Sequence, residues 1–318
     1  MRIILLLSLF LSTAALAGEG HPVTEEGDTR QVRSASSPKW LAAVGRQVVV
    51  TRTETTLKKL QCSLTLIADQ IGKDGIIVVG AGHCGLAMYQ VVTNPNPEAW
   101  HAGPGADRLG RSSDRCWSPC MEMVSSPEDS VTFWTNSGEK IVRKIDVVFA
   151  QSLPAGGNAD YFIGRLDKAI PYSKIKPLLN APWDYSDLLD KEMWYANDEP
   201  FAPFGTMAGY SADITIGEKG KVLTYDLCEA VNGGGSGRKK AYCWSYEGAS
   251  GGPLAITLYL SKEMQEWMDD FTNYLPVGEH TFWAGNIFAG EGGDNHSRTL
   301  FTDSSFHTRI LDPILEAH

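Results

Sequence analysis

Gly248-Ala-Ser-Gly-Gly-Pro253 is the stretch of this sequence that says most about its fold. Glycines on both sides of Ser250 leave the backbone free to form a tight loop around a single hydroxyl group. A serine in such a loop is a candidate nucleophile when the chain also supplies a base and an acid. A Gly-Ala-Gly-His-Cys run upstream contains His83, and an Asn-Ala-Asp run between the two contains Asp160. The candidate residues therefore follow the order His83, Asp160, Ser250.

The three motifs resemble those of the chymotrypsin-like (trypsin-fold) serine peptidases, which carry a His-Cys motif, an Asp motif and a Gly-Asp-Ser-Gly-Gly-Pro motif in this order. Lys39–Arg46 is similar to the first mature strand of the family, and Ser305–Ile310 to the segment before its last helix. The resemblance implies an all-β fold of two antiparallel six-stranded β-barrels with a short C-terminal helix. Short apolar runs separated by turn residues from Trp40 onward also favour a barrel or a sandwich.

Two residues near the serine depart from the animal members of this family. Ala249 stands where those members carry an aspartate that pairs with a newly cut amino terminus. Without a carboxylate there, that switch cannot operate, so the resemblance is closer to the bacterial, glutamyl-endopeptidase-like members. We expect the oxyanion loop to form without an activating cleavage. Trp244 stands at the expected floor of the primary specificity pocket, which disfavours a preference for basic side chains.

The resemblance assigns a role to each residue of the motifs. His83 would be the general base, and Asp160 would fix its tautomer and stabilise the imidazolium. The backbone N–H groups of Gly248 and Ser250 would form the oxyanion hole. Asp146 is a rival for the acid, because it too precedes apolar residues. The predicted activity is that of a serine-type endopeptidase, a hydrolase that works through an acyl-enzyme and requires no cofactor and no metal.

Two other interpretations of the serine motif stay open. Gly248–Gly252 also matches the Gly-x-Ser-x-Gly elbow of α/β-hydrolases, for which Asp303 and His307 could formally complete a triad of esterase type. The elbow requires a strand before the serine and a helix after it, and Pro253 disfavours that helix. The second alternative is a catalytically silent peptidase homologue that acts as a binding module.

The six cysteines suit an oxidising compartment, where they can pair. The resemblance implies a bridge that ties the histidine loop to the strand before it. A second pair flanks a glycine-rich hairpin tip, and a third could close a small ring. Six cysteines allow 15 pairings, and the set that we infer from the resemblance is Cys62–Cys84, Cys228–Cys243 and Cys116–Cys120. A metal site at the third pair is disfavoured, because no histidine or second cysteine pair is placed to complete four ligands.

The chain of 318 residues divides into four predicted parts. A charged start, an apolar run and a small-x-small pattern indicate a cleaved signal peptide. A polar tail or pro-segment follows, and then two halves that each form one barrel. Their predicted bounds are 1–17 for the signal, 18–38 for the tail, 39–180 for the N-terminal β-barrel with His83 and Asp160, and 181–318 for the C-terminal β-barrel with Ser250. Within the halves, 88–128 reads as an insertion and 261–279 as a short helix.

Charge and composition restrict the partners. The formal net charge is −10 and no long Lys/Arg cluster occurs, which disfavours nucleic acid as a partner. The apolar run of the signal is too short to span a membrane and no other apolar stretch approaches the length needed, so we expect no membrane contact after signal cleavage. The expected partner is a protein or peptide substrate. The protein is expected to be a secreted or periplasmic monomer.

Overall fold

The structure is a computed structural model, and it describes part of the chain. The described residues are 27–52, 57–86, 89–91, 121–123, 130–152, 160–180, 195–196, 199–200, 205–232, 238–260, 262, 275–291, 295–303 and 308–317. Several predictions lie outside these ranges, namely the signal over 1–17, the Cys116–Cys120 bridge, His307, most of the insertion over 88–128 and the centre of the helix over 261–279. The end of that predicted helix is wrong, because a strand begins at Gly278.

The described residues form strands, two short α-helices and one 3-10 helix (Lys39–Ala43). The strands, in chain order, are β1 (Gln31–Val32), β2 (Val44–Arg52), β3 (Leu57–Ala68), β4 (Gly75–Gly80), β5 (Tyr89–Val91), β6 (Met121–Met123), β7 (Ser130–Trp134), β8 (Lys140–Ser152), β9 (Asp160–Ile170), β10 (Leu178–Asn180), β11 (Tyr195–Ala196), β12 (Glu199–Pro200), β13 (Gly205–Gly209), β14 (Thr224–Asn232), β15 (Arg238–Tyr242), β16 (Pro253–Leu260), β17 (Gly278–Glu291) and β18 (Asn295–Asp303). The helices are α1 (Gly82–Leu86) and α2 (Thr308–Glu316).

Six strands of the first half close into an antiparallel barrel. Neighbours follow the order β3, β2, β7, β8, β9, β4, and β4 pairs again with β3. Side chains alternate between interior and exterior, as in β7, where Val131 and Phe133 are fully buried and their neighbours are not. Leu64, Val79 and Phe162 fill the same interior. Burial of such side chains is worth about 1.5–3 kcal/mol each, which favours closure around them.

Six strands of the second half close in the same way. Their order is β16, β13, β14, β15, β18, β17, and β17 pairs again with β16. The interior is formed by Met207, Leu254 and Phe282, among other apolar residues. The Cys228–Cys243 disulfide, which the sequence predicts, joins β14 to the segment after β15. The all-β prediction of two six-stranded barrels with a short C-terminal helix is therefore confirmed, and the fold is chymotrypsin-like.

The two barrels meet along a junction that includes the candidate site. β10 pairs in parallel with β3 of the first barrel and with β17 of the second. Tyr161 of the first barrel stacks on Trp283 of the second, with ring centroids 6.3 Å apart. Asn286 donates a hydrogen bond from its side-chain amide to the Gly80 carbonyl, at 3.2 Å. This bond joins the end of β4 to the middle of β17.

The segment that begins at Gly27 packs on the second barrel. β1 pairs with β14, with Gln31 opposite Tyr225 and Val32 opposite Thr224. This contact belongs to the part of the sequence that reads as a polar tail or pro-segment. Nowhere in the described ranges is there a helix with the length and apolar character needed to cross a membrane.

Candidate active site

His83 lies in α1, the short helix that follows β4. The Cys62–Cys84 disulfide ties this helix to β3, and it is the pairing that the sequence predicts. The helix also packs closely on β9: Gly85 lies so near the Phe162 ring that a Cβ atom there would collide with it. Glycine is therefore required there for the helix to approach the barrel. The His83 side chain is 38% exposed and reaches the surface of the junction.

Asp160 is the first residue of β9 and lies directly beside α1. Its Oδ1 accepts a hydrogen bond from the His83 backbone N–H at 2.7 Å, and its Oδ2 lies 2.6 Å from His83 Nδ1. With Nδ1 engaged by a carboxylate, the ring nitrogen that remains for chemistry is Nε2. Asp146, the rival acid, is an exposed residue of β8 that lies opposite Arg165.

Ser250 lies next to the histidine loop. Its carbonyl oxygen is 3.9 Å from Cys84 Sγ. The following residue, Gly251, has a φ of +85° and a Cβ atom there would collide with the Ser63 carbonyl. Within the described residues, neither the Ser250 hydroxyl nor His83 Nε2 makes a hydrogen bond. The structure thus brings His83 and Asp160 into contact and places the Ser250 backbone against the same loop, without a His–Ser hydrogen bond.

A tight turn over Tyr246–Ala249 precedes the serine. The Ala249 N–H donates to the Tyr246 carbonyl at 3.0 Å, and Gly248, third in the turn, has a φ of +90°. A positive φ at this position is typical of a type II turn, which favours glycine. A Cβ atom here would also lie 2.6 Å from the Tyr210 carbonyl oxygen. Among the described residues, the N–H groups of Gly248 and Ser250 make no hydrogen bond.

Ser63 holds the serine loop from the first barrel, a role that no sequence motif predicted. Its N–H donates to the Ser250 carbonyl at 2.8 Å, and its hydroxyl donates to the Gly248 carbonyl at 3.0 Å. The same hydroxyl accepts a hydrogen bond from the Tyr210 N–H at 2.9 Å. The residue is fully buried. Its place directly after Cys62 is the one sequence signal that could have suggested this role.

Trp244, at the expected pocket floor, is half-buried, and its backbone is hydrogen-bonded to the side chain of Asp226. The Trp244 N–H donates to Asp226 Oδ2 at 2.7 Å, and the Thr29 hydroxyl donates to Oδ1 at 2.8 Å. Burial raises the pKa of Asp226, and the carboxylate of Asp28 adds to the rise, although these hydrogen bonds oppose it. Both oxygens of this acid are thus engaged by the protein itself.

Cys62, His83 and Cys84 form a cluster of potential metal ligands in the described part of the chain, with ligand atoms within 4.8 Å of one another. Both sulfur atoms belong to one disulfide, and a metal requires the free thiolate. We therefore assign no metal to this cluster. The arrangement fits a disulfide that holds a histidine loop.

The α/β-hydrolase alternative is wrong for this serine. An elbow requires a helix after the nucleophile, but Ser250 is followed by strand β16, which begins at Pro253. Pro253 and the two glycines before it disfavour a helix, as the sequence indicates. Asp303 ends β18, and His307 lies outside the described residues.

The class that this topology defines is the paired-barrel, chymotrypsin-like fold. No protein-family model matches the chain, and no curated protein gives a significant sequence match. Among solved structures, the chain is similar to a thermostable serine protease, AL20, from an extremophilic microorganism. That similarity has a TM-score of 0.46 and 13% identity, and it covers 88% of this chain and 100% of the other. Similarity at this level adds nothing on activity, so the function is inferred from the geometry of the site.

Proposed function

We propose that the protein is a serine endopeptidase in which His83 is the general base, Asp160 orients it and Ser250 is the nucleophile. The observation that carries this proposal is the double hydrogen bond from His83 to the Asp160 carboxylate. A carboxylate on Nδ1 makes Nε2 the basic nitrogen, which is the requirement for deprotonating a serine hydroxyl. The N–H groups of Gly248 and Ser250 form the oxyanion hole.

The reaction proceeds in two acyl transfers. Ser250 Oγ bonds to the carbonyl carbon of the substrate peptide while its proton passes to His83 Nε2, and the carbonyl electrons move to the oxygen, which the two N–H groups bind. The carbon–nitrogen bond then breaks, and His83 gives its proton to the departing amine. Water attacks the acyl-enzyme by the same route, which releases the acid and restores the serine. Peptide hydrolysis of this kind needs neither a cofactor nor a metal.

The missing hydrogen bond between His83 and Ser250 is compatible with this mechanism. In enzymes without substrate, the contact between base and nucleophile is often long and tightens only in the complex. The same observation favours the second candidate, a silent homologue that uses the barrels for binding. The two candidates differ in one measurable property, which is turnover of a peptide bond.

The proposal extends to the environment of the enzyme. The Cys62–Cys84 and Cys228–Cys243 disulfides suit a secreted or periplasmic protein, since such bonds persist in oxidising compartments. The signal over 1–17, action on proteins or peptides and the monomeric state remain predictions from the sequence.

Incubation with an unfolded protein and a mixed peptide library, followed by mass spectrometry of the products, tests the activity. We expect internal cleavage by the wild type and none by Ser250→Ala. Ser36→Ala, a change at an exposed serine far from the loop in sequence, is the matched control and should cleave normally. Equal cleavage by the wild type and Ser250→Ala would overturn the proposal, and no cleavage by folded wild type would favour the silent homologue.

A further inference from the structure

A buried cation lies beside the serine loop. The Arg30 side chain is 1% exposed, and its Nη1 lies 2.7 Å from Asp213 Oδ1, a side chain that is fully buried. Its Nη2 lies 2.8 Å from Asp28 Oδ2. The guanidinium also covers the Tyr246 ring, with Cζ 4.1 Å from the ring centroid. Burial of a charge is costly unless it is paired and hydrogen-bonded, and this one is paired on three sides.

These contacts reach the turn that precedes the nucleophile. Tyr246, under the guanidinium, is the residue whose carbonyl accepts the Ala249 N–H and closes the turn. The next carbonyl, of Glu247, accepts the Ala212 N–H at 2.6 Å, and Ala212 directly precedes Asp213. Arg30 therefore contacts the turn itself through the Tyr246 ring, and through the ion pair with Asp213 it contacts the segment that is hydrogen-bonded to the turn.

The Asp213 carboxylate is fixed on its other side as well. Its Oδ2 accepts hydrogen bonds from the Thr215 hydroxyl and the Gly217 N–H, each at 2.9 Å. Burial by itself would raise the pKa of Asp213, but Arg30 and the Gly217 N–H hold it below its ordinary value. The anion that receives Arg30 is thus a rigid, charged anchor.

The segment that carries Arg30 is itself attached to the second barrel. Thr29 donates to Asp226, the acid behind Trp244, and Gln31 and Val32 pair with β14. We call Gly27–Val32 the amino-terminal clamp. Ala249 places no carboxylate directly before the serine, and the buried ion pair beside this region joins Arg30 of the clamp to Asp213.

We propose that Arg30 is a positioning residue, which holds the Tyr246–Ala249 turn in the form that presents the Gly248 and Ser250 N–H groups to the oxyanion. This inference rests on the proposed function. It explains how the turn is held without a newly cut amino terminus, because an internal guanidinium supplies the cation. It also implies that cleavage of the chain before Gly27 leaves the site intact, whereas loss of Arg30 impairs it.

Arg30→Met tests the proposal by removing the charge while keeping an unbranched side chain. Arg33→Met is the matched control, since Arg33 directly follows the clamp but donates to the carbonyls of Trp134 and Thr135 in the first half. We expect Arg30→Met to lower kcat by about 10- to 1,000-fold, with KM changed by less than about threefold; full loss of one oxyanion donor costs about 100- to 1,000-fold. Rates are expressed per active site titrated with a fluorophosphonate.

A second readout separates positioning from a merely structural role. A peptide aldehyde forms a hemiacetal whose oxygen occupies the oxyanion hole, so its Ki should rise in Arg30→Met in parallel with the fall in kcat. Arg30→Lys, which keeps the charge but loses the planar fork, should show an intermediate kcat. If Arg30→Met does not fold, Arg30→Lys carries the test.

Each outcome has a distinct meaning. A wild type without turnover or labelling defeats the proposed function, and the inference about Arg30 falls with it. If the wild type is active, and kcat and the aldehyde Ki are the same in Arg30→Met and Arg30→Lys as in the wild type, only the positioning role of Arg30 is overturned. A rise in KM with unchanged kcat also overturns it, because the segment would then serve substrate binding and not the oxyanion hole.

Discussion

The Asp160 carboxylate binds His83 twice, through the backbone N–H at 2.7 Å and through ring Nδ1 at 2.6 Å. The first bond fixes the helix that carries the histidine, and the second fixes the rotation of its ring. Two hydrogen bonds to one residue leave the imidazole little freedom except to present Nε2 to the junction between the barrels. Ser250, the proposed nucleophile, has its backbone packed on the same loop.

Asp160→Asn should lower kcat by about 10⁴-fold, because an amide can leave the histidine in the wrong tautomer while keeping the geometry. Asp146→Asn, the same change at the exposed rival acid of β8, should leave kcat unchanged. Steady-state kinetics on a cleavable peptide, with a thermal melt to establish folding, measure both. If only Asp146→Asn lost activity, the catalytic acid would be Asp146 and the assignment to Asp160 would be wrong.

Ser63→Ala should destabilise the protein by about 1–3 kcal/mol and lower kcat. The change leaves the Gly248 carbonyl and the Tyr210 N–H without their buried partner. Thr65→Val, two residues along the same strand, is the matched control, because in the described residues the buried Thr65 hydroxyl has no hydrogen-bond partner. Urea unfolding and kinetics should find that variant close to the wild type. Equal effects of the two changes would contradict the role of Ser63.

Replacement of Cys62 and Cys84 by alanine should lower the free energy of unfolding by about 2–4 kcal/mol and should also reduce kcat. The activity loss is expected because the bridge anchors the helix that carries His83. Replacement of Cys228 and Cys243 is the comparison. It should lower stability, with a smaller effect on kcat per titrated site, since that bridge does not reach the histidine. Equal kcat in the two double variants would show that the first bridge has no special link to the site.

Asp213→Asn should weaken the dependence of stability on acid pH. A carboxyl whose pKa is lower in the folded protein than the ordinary 3.8 stabilises the fold above that pH, and the contribution is lost as pH falls through the folded value. The variant should therefore melt at a lower temperature than wild type at neutral pH, and the difference should shrink below about pH 4. Melting temperatures between pH 2 and 7 measure this, with Asp146→Asn as control. A gap that widens toward low pH would contradict the sign of the shift.

The sequence predicted much of this structure because its informative signals are local. Glycines around Ser250, a cysteine beside His83 and short apolar runs between turns each constrain a few neighbouring residues, and together they match a known order of motifs. Ser63 and Arg30 could not be found in this way. Arg30 and Asp213 are separated by 183 positions, and no local sequence pattern near either residue predicts the ion pair between them. The sequence of Gly27–Val32 predicts a polar tail, because charged residues lie at the surface unless an oppositely charged partner stabilises them in the interior.

The most direct test of the central claim is the site of covalent modification by a fluorophosphonate. Digestion and mass spectrometry of the labelled, folded wild type should find one adduct, on the peptide that contains Ser250, and none in the His83→Ala variant. This result requires an activated serine and a neighbouring base, which are the two properties that the account assigns to the junction of the barrels. A folded protein that takes up no label, or takes it up at another serine, would contradict the account.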